Sequence, residues 1–91
     1  MITAAQIRAA RALLGMDQRS LAEAAGLSLP TIQRMEGSDG QVVRGNVDSV
    51  MKVVEAIERA GVELIGEGGV SSDGGRGVRL KTKATGNPEA E

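Results

Sequence analysis

The segment 17–37 holds two short helical patterns that follow each other closely along the chain. Asp17 can cap the first helix and Gly26 can end it, while Ser28 can cap the second and Gly37 can end it. Each pattern is shorter than the roughly 12–15 residues that an isolated helix needs to be stable in water. The two helices must therefore pack against each other and against neighbouring elements.

Similar capping residues and terminating glycines mark the ends of one helix before this segment and of one helix after it. Thr3 and Gln6 have the spacing of a capping box, and Gly15 follows the periodic segment that they open. Asn46 can cap a fourth helix, which ends before Gly61. We therefore predict four helices. The apolar stripe of the fourth consists of Val47, Val50, Met51, Val54 and Ile57.

The sequence changes character after residue 61. Residues 62–65 and 78–80 have the composition of short strands, and residues 66–77 are rich in Gly and Ser, which is typical of a flexible loop. Residues 82–91 are polar, and we expect them to form a disordered tail. The predicted fold is mainly α-helical: a four-helix domain, then a short C-terminal β-hairpin and a disordered tail.

Several residue types are absent, and each absence excludes a class of function. The chain has no Cys and no His, so disulfides, thiolate or imidazole chemistry and the common zinc sites are excluded. It has no aromatic residue on which unpaired bases could stack, which disfavours single-stranded nucleic acid as a ligand. No apolar run approaches the length of a membrane span, and the N-terminus lacks a signal-peptide pattern. We predict a cytoplasmic protein without a metal or cofactor.

The overall charge gives little support for nucleic-acid binding, since it is −1. The first 45 residues carry five arginines against four acidic residues, a weak excess of positive charge, so the placement of the arginines must carry the argument. With 41 % hydrophobic residues and no aromatic ones, the core of this 91-residue chain must be thin. A thin core favours burial of further apolar surface in a homodimer.

The two short helices also carry residues with separate roles in a helix pair that crosses steeply. Gly26 supplies the turn, and Ala22 is small enough for the helices to approach closely. The full set is Gln18, Leu21, Ala22, Gly26, Ser28, Thr31, Ile32 and Glu36. On these residues the chain resembles the Cro/cI-type (Xre family) helix-turn-helix regulators of bacteria and phages, over residues 7–60. The resemblance implies that the helix of residues 28–36 reads the major groove of double-stranded DNA.

The resemblance implies a set of DNA-contacting residues. Gln18 matches the family's phosphate-contacting glutamine, and Arg44 matches a loop position that contacts phosphate or the minor groove. Arg34 is the strongest candidate for base reading because a guanidinium can bond guanine O6 and N7, and Gln33 could pair with adenine. A solvated surface side chain is the ordinary alternative for each. The predicted DNA-binding residues are Gln18, Arg19, Ser28, Leu29, Pro30, Thr31, Gln33, Arg34 and Arg44.

Arg11 and Glu36 are charged residues on otherwise apolar helix faces. In the family an arginine of the first helix pairs with the glutamate that ends the third. The resemblance therefore implies that these two residues form a structural ion pair and take no part in binding.

Three functions fit these observations to different degrees. The first is a dimeric, sequence-specific transcriptional regulator, most simply a repressor that occludes a promoter at a near-palindromic operator. The alternative is an antitoxin that represses its own operon and binds a protein partner through its C-terminal extension. A protein-interaction module that does not bind DNA is also compatible with the near-neutral charge. An enzyme is least favoured, because no pattern places carboxylates and lysines together in a pocket.

The predicted organisation is a DNA-binding domain (1–61), a hairpin extension for dimerisation (62–81) and a tail (82–91). An isolated two-stranded hairpin is marginal in water, and its edges stay open to further pairing. We therefore expect it to join the equivalent hairpin of a second chain. The side chains expected to add apolar area to that interface are Val50, Val54 and Ile57.

Overall fold

A computed structural model of the chain describes residues 2–37, 43, 46–66 and 74–81. The predicted four helices and the antiparallel hairpin that follows them are confirmed. The predicted tail and the site residue Arg44 lie outside the described residues. The elements are α1 (Ala4–Leu14), α2 (Gln18–Ala25), α3 (Leu29–Glu36), α4 (Val47–Ala60), β1 (Val62–Ile65) and β2 (Gly77–Leu80).

Each helix begins at the residue that the sequence predicted as its cap. The Thr3 side chain accepts from the Gln6 backbone N–H and completes a capping box, and Asp17 accepts from the Ser20 N–H at 2.7 Å. The side chains of Ser28 and Asn46 act in the same way at α3 and α4. Side-chain oxygens thus satisfy backbone donors that have no partner within the helix, which fixes where each helix starts.

Gly26 makes the turn between α2 and α3. Its φ of 71° lies in the left-handed region, which a residue with a Cβ adopts only at a cost, and its N–H bonds back to the end of α2. The chain therefore reverses within a few residues, and α3 packs directly against α2.

The core is made of aliphatic side chains from every element. α2 packs against both α3 and α4, and Ala22, which is 3 % exposed, allows a close approach. The largest fully buried side chains are Ile7, Leu21, Ile32, Val53, Ile57 and Val62. No helix among the described residues is long and apolar enough to cross a membrane.

The apolar stripe of α4 faces the core of its own chain more than the sequence suggested. Val50 is 3 % exposed and Ile57 is fully buried, so the expectation that these two side chains add area to a dimer interface is wrong. Val54 is half-buried against the core. The large apolar side chains that α4 leaves exposed are Val47 and Met51 in its N-terminal half, at 64 % and 39 %.

The hairpin packs on α1 and α4 through one of its faces. Val62 is fully buried, and Leu64 and Val78 pack against the core, so these three side chains extend the helical core into the sheet. The strands pair with Val62 opposite Leu80 and Ile65 opposite Gly77. The helical core therefore provides the support that an isolated hairpin lacks.

Gln6 fixes the end of the hairpin at which Ile65 pairs with Gly77. Its Nε2 donates to the carbonyl oxygens of Ile65 and Gly77, at 2.9 and 3.0 Å, and its Oε1 accepts from the Thr3 N–H at 3.0 Å. The side chain is 4 % exposed, so each of these bonds satisfies a polar group that has little access to water. One residue thus caps α1 and holds the two strands together on it.

Candidate nucleic-acid interface

The recognition-helix candidate α3 has one buried face and one free face. Ile32 and Met35 are buried in the core, whereas Pro30, Gln33 and Arg34 are exposed. Ser28 is exposed at the helix start, and Leu29 and Thr31 are half-buried beside it. The predicted α3 residues therefore share a surface that the core leaves uncovered.

Gln18 and Arg19 form the first turn of α2, directly after the cap Asp17. The Arg19 side chain is exposed, and that of Gln18 is half-buried because its Nε2 donates to Glu36 Oε1 at 3.2 Å. The hydrogen bond from the Ser20 backbone N–H lowers the pKa of Asp17. Its carboxylate therefore stays ionised and keeps the start of α2 capped.

Glu36 is the last residue of α3, and its carboxylate is almost completely buried. Arg11 binds it with two parallel hydrogen bonds, from Nε to Oε2 at 2.7 Å and from Nη2 to Oε1 at 2.8 Å. The side chains are 20 % and 3 % exposed for Arg11 and Glu36, and the hydrogen bond with Glu36 raises the pKa of Arg11. Arg11 also donates to the Met16 carbonyl at 3.1 Å. This pair is a planar, two-bond contact, the stronger class of charged hydrogen bond.

Arg8 adds a second contact between α1 and the end of α3. Its Nη1 donates to the backbone carbonyl of Glu36 at 2.7 Å, where the helix leaves its last carbonyls without internal partners. The sequence did not point to this role, because nothing in the pattern distinguishes Arg8 from a solvated arginine. The signal available was only its spacing, because residues three apart, such as Arg8 and Arg11, lie on the same face of a helix.

Most basic side chains that the structure describes already have partners within the protein. Arg59 donates to the Ala24 carbonyl at 3.0 Å and Lys81 to the Glu58 carbonyl at 2.9 Å. Arg79 pairs with Glu63 on the outer face of the hairpin at 2.9 Å. At the helix-turn-helix itself, Arg8 and Arg11 are engaged as described above. Within the described ranges, Arg19 and Arg34 are the arginines that project from this region without a hydrogen bond or ion pair.

Comparison with known families agrees with this geometry. The family model described as Helix-turn-helix matches residues 7–36, from the first turn of α1 to the end of α3. Residues 7–36 are a Cro/cI-type helix-turn-helix. The resemblance to the Xre family is thereby confirmed for this segment, and the chain carries a DNA-binding helix-turn-helix of a regulator family. No curated protein matches the chain.

Arg11 and Glu36 should contribute strongly to stability. Replacing Arg11 with Met leaves a nearly buried carboxylate without its charged partner, which typically costs about 3–5 kcal/mol of unfolding free energy. Arg79→Met is the matched control, because its ion pair with Glu63 is about half exposed. A pair of that kind is worth roughly 0–1 kcal/mol. Urea unfolding followed by far-UV circular dichroism measures both variants. Equal losses in the two variants would show that burial of the Glu36 carboxylate adds nothing to the pair.

Proposed function

We propose that the chain is a sequence-specific transcriptional regulator that inserts α3 into the major groove of double-stranded DNA. The observation that carries the proposal is the helix-turn-helix of residues 7–36, in which α3 packs through Ile32 and Met35 and leaves Gln33 and Arg34 exposed. A helix held in this way can enter the groove, because its polar side chains project where the base edges lie.

Within this proposal the contacts divide into two kinds. Arg34 and Gln33 read bases, since a guanidinium matches guanine and a side-chain amide matches adenine, while Leu29 and Pro30 offer apolar contact to a thymine methyl. Polar residues at the helix starts position the protein on the phosphates instead. The positioning residues are Gln18, Arg19, Ser28 and Thr31, together with Arg44, which lies outside the described residues.

The regulator we propose acts most simply as a repressor. An 8-residue α3 within a compact domain covers a short stretch of duplex, and a bound protein at a promoter excludes other proteins from that stretch. The proposal assigns no catalytic step to the chain. The groups it uses are neutral hydrogen-bond donors and guanidinium groups aimed at DNA.

The test of DNA binding is a gel shift with duplexes enriched by the protein from a random pool, repeated at increasing salt. The logarithm of the binding constant falls linearly with the logarithm of the salt concentration, with a slope of about −0.9 for each phosphate that the protein neutralises. The predicted DNA-contacting set contains three cations, Arg19, Arg34 and Arg44, so we expect a slope no steeper than about −2.7 per bound protomer. No enrichment of any duplex would refute the function, and a much steeper slope would show that basic residues outside this surface contact DNA.

Single substitutions should distinguish a residue that reads bases from a residue that contacts the DNA backbone. Arg34→Ala should cost about 1–3 kcal/mol on the enriched site and relax preference at one base position. Gln18→Ala should weaken binding to enriched and random duplexes alike, because phosphate contacts carry no sequence information. Competition assays with both DNAs measure the two effects. If Arg34→Ala reduces binding equally on both, this residue contacts only the backbone.

We further propose that the regulator is a homodimer formed through the open edge of β2. Lys81 N–H donates to the Gly61 carbonyl, and bonded and non-bonded pairs alternate along an antiparallel ladder. The N–H and C=O groups of Val78 and Leu80 therefore point away from β1. Leu80 is 51 % exposed. An open edge with an exposed leucine favours pairing with the same strand of a second chain.

The charge on this edge is compatible with self-pairing. Arg79 lies between Val78 and Leu80, and it is paired with Glu63 of its own hairpin. Two approaching edges would thus bring together two ion pairs rather than two bare arginines. A two-fold dimer would present its two α3 helices roughly 34 Å apart, one turn of the duplex, to a near-palindromic operator.

Leu80→Lys should give a monomer, because a charged side chain at a sheet edge opposes pairing. Leu13→Lys is the matched control, since Leu13 is a leucine of similar exposure, 43 %, on α1. Sedimentation measures the mass, and a gel shift on a palindromic site should show a loss of binding of up to about 10²–10⁴-fold for Leu80→Lys alone. The β2 interface is refuted if Leu80→Lys stays as dimeric as Leu13→Lys.

A further inference from the structure

The side-chain amide of Gln18 is held in one orientation by its partner. Gln18 Nε2 lies 3.2 Å from Glu36 Oε1, and an ionised carboxylate accepts hydrogen bonds but donates none. The amide must therefore turn its NH₂ group toward Glu36 and its carbonyl oxygen away from it, because the reversed amide would place two acceptor oxygens against each other. One N–H of Gln18 is used in this bond, and the second remains as a donor.

The partner that holds Gln18 is itself buried and hydrogen-bonded. The Glu36 side chain is 3 % exposed and carries both hydrogen bonds from Arg11, and the Glu36 carbonyl accepts from Arg8. The neighbouring Arg19 differs, since its side chain is exposed and makes no hydrogen bond or ion pair in the part of the chain that the structure describes. Of these first two residues of α2, Gln18 is thus the one whose side chain has a hydrogen-bond partner within the described part of the protein.

We propose that Glu36 is a positioning residue for the DNA-backbone contact. It fixes the Gln18 amide so that the remaining N–H is offered to a phosphate oxygen, which is an acceptor. A donor that is ordered in advance loses less side-chain freedom on binding, and this increases affinity. The inference rests on the proposed function, since it assumes that Gln18 meets DNA.

The position of Glu36 in the fold gives this bond a second consequence. Glu36 ends α3, which reads bases in the proposed complex, and Gln18 begins α2, which contacts the backbone. The bond therefore sets the distance between the phosphate contact and the base-reading helix. Backbone contacts fix the register of a protein on the duplex, so α3 enters the groove at a defined position.

The first arm of the test measures the free protein by NMR. We expect the ¹⁵N order parameter of the Gln18 side-chain amide to approach that of rigid backbone, about 0.85, while the exposed Gln33 amide falls below about 0.6. Loss of one signal in Gln18→Ala assigns the resonance. Equal order parameters for the two amides would overturn the proposal, and this arm needs no variant of Glu36.

The second arm is a double-mutant cycle on the enriched duplex. Glu36→Met, which has no oxygen to accept from the Gln18 amide, should bind roughly two- to tenfold more weakly than wild type, the factor that corresponds to one net hydrogen bond. In a Gln18→Ala background the same change should have no further effect. Glu55→Met is the matched control, because it removes the same charge from an exposed position of α4, outside the helix-turn-helix and the hairpin. An equal effect of Glu36→Met with and without Gln18 would overturn the proposal.

Two precautions keep the result decisive. Each variant is compared at a temperature where circular dichroism shows it folded. If Glu36→Met does not fold, Glu36→Asp replaces it, because this change keeps the charge for Arg11 but shortens the reach to Gln18. Failure of the wild-type protein to bind any duplex overturns the proposed function and this inference with it. Binding without coupling between residues 18 and 36 overturns this inference alone.

Discussion

The carboxylate of Glu36 joins the three helices of the helix-turn-helix segment. It receives two hydrogen bonds from Arg11 of α1 and one from Gln18 of α2, while its own backbone belongs to the last turn of α3. A carboxylate with so little access to water is stable only where charged or polar hydrogens meet its oxygens. The angles between these short helices are therefore set by directional bonds as well as by aliphatic packing, which alone is tolerant of small rotations.

Basic side chains also satisfy acceptor groups within the protein. Arginine and lysine side chains meet the carbonyls that close α2, α3 and α4, through Arg59, Arg8 and Lys81. Cations at helix C-terminal ends satisfy orphan acceptors and complement the helix dipole. A small domain without aromatic residues has few other means of bracing short helices. Among the residues that the structure describes, few arginines of the helix-turn-helix are left without a partner, so in the proposed complex with DNA recognition would depend on the placement of a few groups more than on general charge attraction.

Local features of the fold could be predicted from the sequence, and long-range ones could not. The caps Thr3, Asp17, Ser28 and Asn46 fixed the helix starts because each acts on backbone within three residues. The second role of Gln6 was missed, since the carbonyls it binds lie 59 and 71 residues away along the chain. The prediction that α4 is amphipathic was correct. Periodicity alone, however, does not show whether the apolar face of a helix is buried in its own chain or in a second chain. At the candidate site the pattern indicated which α3 side chains are free, and it gave no sign that Gln18 is tied to Glu36.

The contact made by Gln6 has a consequence for the segment that joins the two strands. Ile65 precedes that segment and Gly77 follows it, the two residues are paired, and one side chain of α1 binds both of their carbonyls. The two ends of the segment are thus kept at a fixed spacing by a residue outside it. Since the entropy of closing a chain grows only slowly with its length, a longer or shorter connection would leave the sheet and the helices as they are. The position between the strands is therefore a natural place at which the protein could carry an inserted peptide.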